Sequence, residues 1–181
     1  MLHLKNITAG NPKTAEQYQM TKQHGITWLF SEDDKNWYEE LKNFASDTIK
    51  MVYTGDGRVV WVGKDVTGIE PRNASVIEVP DITANRRITV PGYWFYRDDK
   101  FVFDYKLKAE DERDALLQRV SIMTSEWEKD LLLGLISDDD REKLKAYRIY
   151  AKSLQAMDFS TITDKTSYNA IEWPVSLEAS S

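Results

Sequence analysis

Thr48-Ile-Lys-Met-Val-Tyr-Thr54 and Arg58-Val-Val-Trp-Val-Gly-Lys64, parted only by Gly55-Asp56-Gly57, carry the reading on which the fold turns. Both runs are rich in β-branched and aromatic residues, and a Gly-Asp-Gly between such runs signals a β-hairpin. Further along, Ser75 to Val79 reads as a strand ended by Pro80, and Tyr93 to Tyr96 with Phe101 to Tyr105 as a second hairpin around Asp98-Asp99. Toward the N-terminus, Asn11-Pro12 predicts a helix start and Gly25 its end, after Lys22. Ile26 to Phe30 then reads as a strand and Ser31 to Lys35 as a turn. Asn36 to Phe44 reads as a short helix with Trp37, Leu41 and Phe44 on one side.

The pattern changes near Lys106. Six of the eight glycines lie at Gly10 or between Gly25 and Gly68, whereas Gly134 alone follows Lys106. Leu116, Val120, Met123, Trp127 and Leu131 follow helical spacing and predict one apolar stripe. Ser137-Asp-Asp-Asp140 announces a second helix, its hydroxyl capping the backbone N–H groups and its acids facing the positive helix end. Leu144, Tyr147, Ala151 and Leu154 continue that helix, so the two should form an antiparallel pair about Gly134. Asp158 to Ser181, polar with an isolated Ile171-Glu-Trp-Pro174, reads as irregular, with disordered last residues. The expected class is α+β: a β-rich domain with short helices over residues 1–105, then a helical hairpin with an irregular tail over residues 106–181.

Composition narrows the chemistry. The 181 residues include 24 basic and 30 acidic side chains, net −6, and no basic run exceeds Arg86-Arg87. That argues against a nucleic-acid partner, which requires clustered cations. The absence of cysteine removes disulfides, thiolate metal sites and thiol catalysis. The opening MLHLKNITAG is too short an apolar stretch for a signal peptide, and no segment approaches 18 apolar residues. No membrane insertion and a cytoplasmic site of synthesis are therefore expected.

Catalytic signals are weak. His3 and His24 are the two histidines, and neither sits in a nucleophile, phosphate-loop, zinc or dinucleotide motif. Asp33-Asp34, Glu39-Glu40 and Asp98-Asp99 are carboxylate pairs of the type a glycan hydrolase uses, but adjacent acids in turns and helix starts are usually solvated structure. Asp138-Asp139-Asp140 lacks the alternating acids and terminal glutamate of a calcium loop and is better read as a helix start. No cofactor or metal is expected.

Six tryptophans and nine tyrosines remain to be placed. Such side chains fill cores, but their polar handles also favour protein interfaces. Alternation puts Trp28 and Phe30 on one strand face, and sets Tyr93 and Phe95 opposite Trp94 and Tyr96. One set in each strand can serve the core and the other a partner. Trp28, Phe30, Trp37, Tyr38, Trp94 and Tyr96 are the candidate partner-binding residues.

Met1-Leu-His-Leu-Lys-Asn-Ile7, Asn11-Pro-Lys-Thr14, Glu16-Gln-Tyr-Gln19, Trp28-Leu29, Lys35-Asn-Trp-Tyr-Glu-Glu40, Glu78-Val-Pro-Asp-Ile-Thr83 and Asn85-Arg-Arg87 form an ordered set. It resembles the front of Mu-like members of the bacteriophage tail fibre assembly (Tfa) family. The rear resembles a different branch of that family, through Lys106 to Leu117, Leu133-Gly-Leu-Ile-Ser-Asp138, Tyr147 to Asp158 and Ile171-Glu-Trp-Pro174. Lys108, where members often carry a helix-capping threonine, and the stretch Phe159 to Ala170 depart from the family pattern.

The resemblance implies a chaperone, not an enzyme, that binds the distal tip of a trimeric phage tail fibre in the bacterial host cytoplasm and promotes its folding. Within the resemblance, an alternative is a lasting virion component at the fibre tip that contacts host lipopolysaccharide. A tail-associated glycan hydrolase is the alternative from another class. Fibre contact is expected from the β-rich half. Homo-oligomerisation, a second fibre contact or fibre specificity is expected from the helical half.

Overall fold

In the computed structural model, which describes residues 1–176, the first hairpin pairs β3 (Thr48–Thr54) with β4 (Val59–Gly63) antiparallel, Met51 opposite Val62 and Val52 opposite Trp61. Its turn needs glycine at position 57. Gly57 has φ +89°, and a Cβ there would lie 2.5 Å from the Tyr96 carbonyl oxygen. That close approach lets the Tyr96 N–H donate to the Gly57 carbonyl at 2.7 Å.

On the other side of β3 runs β5 (Ala74–Pro80), with Met51 opposite Ile77 and Lys50 opposite Glu78. A further strand, β1 (His3–Gly10), pairs with β5, and β2 (Trp28–Phe30) pairs with β1. The order β2-β1-β5-β3-β4 is antiparallel throughout. Alternation does not reveal β1, because its inward residues Leu4 and Ile7 are three apart. A register shift between them, with Asn6 at φ +48°, brings both to one face, and the Asn6 N–H donates to Ser75 Oγ at 2.9 Å.

Both faces of this sheet are covered. Leu4, Ile7, Leu29, Val52, Ala74 and Val76 form the first face. Against it pack Trp37 of α2 (Trp37–Glu40) and Leu41 of the following 3₁₀ turn, with Phe44 beyond. Asn36 caps α2 by accepting from the Tyr38 N–H at 3.0 Å. The second face, Ile49, Met51, Tyr53, Val59 and Val79, is covered by Ile88 and by β6 (Trp94–Arg97) and β7 (Lys100–Phe103). Before Ile88, α3 (Thr83–Arg86) makes one short turn.

Double coverage puts two charged residues inside. Lys50 and Glu78 share the first face and are almost fully buried. The Lys50 ammonium donates to the Ala45 carbonyl and, at 3.3 Å, to that of Thr48. The Glu78 carboxylate accepts from the N–H groups of Leu2 and Ala45 at 2.9 and 2.6 Å and from the Thr48 hydroxyl at 2.7 Å. It ties the start of β1 and the loop before β3 to the central strand.

The first helix, α1 (Ala15–His24), starts later than Asn11-Pro12 predicts. Thr14 is the cap, accepting from the Gln17 N–H at 3.1 Å while Gln17 Oε1 accepts from the Lys13 N–H at 2.7 Å, a reciprocal pair that Asn11 lacks. Gly25, at φ +66°, ends it as expected.

The chain divides into two compact units, Met1–Phe103 and a second beginning at Asp104. In the second, α4 (Tyr105–Leu133) is capped by Asp104 and closed by Gly134 at φ +70°, and α5 (Asp138–Gln155) is capped by Ser137. Trp127 meets Tyr147 at 5.9 Å between ring centres, and Val120 clusters with Tyr150, Ala151 and Leu154, so the helices run antiparallel. The apolar stripe differs from expectation at Met123 and Leu131, which are exposed. Thr124 is buried in place of Met123, the inward line passing through Ala109, Val120 and Thr124.

The tail holds more structure than its composition suggests. Asp164 and Ser167 form a capping box that starts α6 (Lys165–Asn169), and buried Phe159 meets Trp173 at 5.7 Å. Asp104 supplies the helix cap, and Lys108 instead donates to the Tyr168 hydroxyl at 2.7 Å, which itself donates to Glu112 at 2.6 Å. Tyr168→Phe removes both bonds and should lower the thermal stability of the helical unit by about 1–2 kcal/mol, read by circular dichroism. The last residues, 177–181, expected to be disordered, lie outside the described ones. Among the described residues no helix is long and apolar enough to cross a membrane.

Candidate partner-binding site

Asp98 and Asp99, with φ +50° and +56°, make the two-residue turn that joins β6 to β7. Two successive left-handed residues match the strand twist, and short acidic residues tolerate them. The turn fixes the register: Tyr96 opposes Phe101, Trp94 opposes Phe103 and Phe95 opposes Val102. Trp94, Tyr96 and Phe101 lean on the second face of the sheet, yet each keeps part of its surface in solvent. With Ile88, Arg87 and Lys100 they line an open groove of about 460 Å³. Phe95 is buried, its ring covered by the Arg97 guanidinium at 4.2 Å and more distantly by that of Arg58.

The groove has a polar spine. The Tyr96 hydroxyl donates to Asp99 Oδ1 at 3.1 Å, and burial together with that carboxylate pushes its pKa up to about 12, so it stays a donor. Tyr96 stacks at a tilt on Tyr53, 4.8 Å between ring centres, and the Tyr53 hydroxyl lies 2.7 Å from His3 Nε2. Burial, helped by Lys5, holds the His3 imidazole below its ordinary pKa. A rigid aromatic platform with donors and acceptors at its rim suits a protein or glycan surface.

The sequence candidates part company here. Trp94 and Tyr96 are brought together in the groove. Tyr38, 39% exposed, lies elsewhere, in a hollow of about 510 Å³ with Met20, Glu70 and Arg72. Trp28 touches that hollow but is buried, its ring edge-on to Tyr38 at 5.7 Å and its N–H donating to Thr21 Oγ1 at 2.8 Å. Phe30 and Trp37 are also buried. Trp28, Phe30 and Trp37 are therefore interior residues: Trp28 is closed in by Thr21 of α1 and by Tyr38, the Lys13 ammonium lies over the Phe30 ring at 4.1 Å, and Trp37 is the residue with which α2 covers the first face. Arg87, Lys100 and Phe101 were not anticipated, although the Asp98-Asp99 turn fixes Phe101 opposite Tyr96 once the register is counted.

Each acid pair has local partners. Asp33 accepts from the Ser31 hydroxyl at 2.5 Å and Asp34 meets Lys13 at 2.5 Å. Glu39 accepts from Gln17 and Asn36, and Glu40 from Asn43. Asp140 accepts from the Ser137 hydroxyl, as a helix start requires.

The family model described as "Caudovirales tail fibre assembly protein, lambda gpK" matches residues 39–178, from α2 through β3–β7 and the helical unit. This chain belongs to the tail fibre assembly family. It is 49% identical to tail fiber assembly protein U' of Escherichia phage Mu over 168 residues, 90% of this chain and 95% of that one. The corresponding protein U' of Escherichia phage P1 is 47% identical over the same shares. A probable tail fiber assembly protein of Escherichia phage P2 is 41% identical over 87% of this chain and 94% of its own. The groove of this tail fibre assembly family member lies wholly within the matched span, whereas β1, α1 and β2 precede it.

Proposed function

We propose that the protein is a phage tail fibre chaperone that holds the distal tip of the trimeric fibre in the host cytoplasm through the groove beneath β6–β7. The observation that carries the reading is the set of half-buried aromatics Trp94, Tyr96 and Phe101, fixed on a rigid hairpin, in a chain of the tail fibre assembly family. A fibre tip built from extended chains cannot bury its apolar surface or pair its strand edges until three chains meet, and unmet edges aggregate. A folded partner with aromatic anchors and a polar rim covers that surface meanwhile.

The test is co-expression with the fibre gene, followed by sizing of the complex and titration of the purified fibre tip. Trp94→Ala and Phe101→Ala should each weaken fibre binding about 30-fold or more, as loss of about 2 kcal/mol at an anchor requires, and should reduce the yield of soluble trimer. Wild-type affinity in both folded variants overturns the assignment.

A second reading is that the protein stays on the fibre tip and contacts host lipopolysaccharide. The hollow around Tyr38 favours it, since an exposed ring beside the Arg72–Glu70 pair can stack on a sugar and bond its hydroxyls. Mature virions that contain the chain support this reading, and virions that lack it remove it.

A further inference from the structure

The hairpin that lines the groove has a strand edge to spare. Asp98 and Asp99 are its whole turn, so Arg97 and Lys100 exchange both main-chain bonds, and the next pair, Tyr96 and Phe101, exchanges none. The main-chain N–H and carbonyl of Tyr96 therefore point away from β7, and that N–H meets the Gly57 carbonyl. By the same register, those of Phe101 point away from β6. The hairpin is a two-stranded sheet, so β7 has no strand on that side. Besides the hairpin, β5 lines the groove through Ile77 and Val79, and the segment after α3 through Arg87 and Ile88.

Charge sets this groove apart in a chain of net charge −6. Arg86 and Lys64 both bind the Asp81 carboxylate, at 2.6 and 2.7 Å. Arg87 and Lys100 are exposed, line the groove and have no ion-pair partner among the described residues. The acid beside them, Asp99, is already engaged by the Tyr96 hydroxyl.

We infer that the groove takes an extended, acidic segment of the fibre as a third strand of the β6–β7 sheet, given that the groove is the fibre site as proposed above. Main-chain bonds to the outward N–H and carbonyl of Phe101 hold the segment in register. Its alternate apolar side chains lie on Ile77 and Val79, which are themselves two apart on one strand and so match the period of the incoming one. An Asp or Glu of the segment meets Arg87 and Lys100. Strand addition supplies what a fibre chaperone needs, because it pairs an open strand edge of the fibre with the edge of β7 until the third fibre chain arrives.

The test is titration of the purified fibre tip against the full chain. Arg87→Glu and Lys100→Glu should each weaken binding about tenfold or more and lessen its salt dependence, with an unchanged circular dichroism spectrum. A carboxylate-to-lysine change in the fibre segment should restore affinity for the Arg87→Glu variant. Amide hydrogen exchange should slow at the Phe101 N–H when the fibre tip binds. Wild-type affinity in both charge variants overturns the proposal, as does a Phe101 amide that exchanges equally fast with and without the fibre tip. If Trp94→Ala and Phe101→Ala still weaken binding in either case, the groove remains the fibre site and the strand mode alone falls. Wild-type affinity in those two alanine variants removes the site and the strand mode together.

Discussion

Trp37→Ala will lower the stability of the β-rich unit by about 3–5 kcal/mol, the usual loss when a large buried aromatic is deleted. Trp37 is 1% exposed and sits between the sheet and the turn that follows it, with Phe44 5.9 Å away between ring centres. Its indole fills the space bounded by Leu4, Leu29, Val52 and Val76, and α2 has only four residues with which to close over the gap. The surroundings are strands held in register on both sides, so they collapse little, and the cavity persists. Set against a domain stability of about 5–15 kcal/mol, the loss should bring the unit close to unfolding at 37 °C. Denaturant titration followed by tryptophan fluorescence measures it. A loss under about 1 kcal/mol with weakened fibre binding would return Trp37 to the partner surface.

Much of the fold could be read in the sequence because its decisive signals are local. Gly55-Asp56-Gly57 and Asp98-Asp99 fix two hairpins, and Ser137 and Gly134 fix the ends of the two long helices. What could not be read depends on contacts distant in sequence. The strand β1 hides behind a bulge that breaks its alternation. The burial of Trp28, Phe30 and Trp37 follows from contacts with Thr21 and Tyr38, with Lys13, and with the first sheet face respectively, which no single segment reveals. The groove was half legible: Trp94 and Tyr96 were named, but Arg87 reaches it from the segment after α3, whose position is set by packing of Ile88 on the sheet.

Glu78 is the other residue whose role only the assembled sheet discloses, and its removal should be as damaging as that of Trp37. Glu78→Ala leaves the N–H groups of Leu2 and Ala45 without their acceptor and the buried Lys50 ammonium without its nearby opposite charge. Breaking a buried charged arrangement on one side costs about 3–5 kcal/mol. Replacing both partners, as in Lys50→Met with Glu78→Leu, should recover part of that loss, because no unmatched charge remains buried. The same group makes the unit sensitive to acid. Burial disfavours the Glu78 carboxylate, but the bonds from Thr48, Leu2 and Ala45 and the charge of Lys50 outweigh it and hold the pKa below the ordinary glutamate value. The unfolded chain therefore takes up its proton first as pH falls. The contribution of Glu78 is complete above the ordinary glutamate pKa and is lost as pH descends through the lower folded value. Denaturant midpoints measured from pH 7 to pH 3 should fall through this range in the wild type and fall less in the Lys50→Met, Glu78→Leu variant. Equal slopes in the two proteins would show that Glu78 contributes nothing to acid sensitivity.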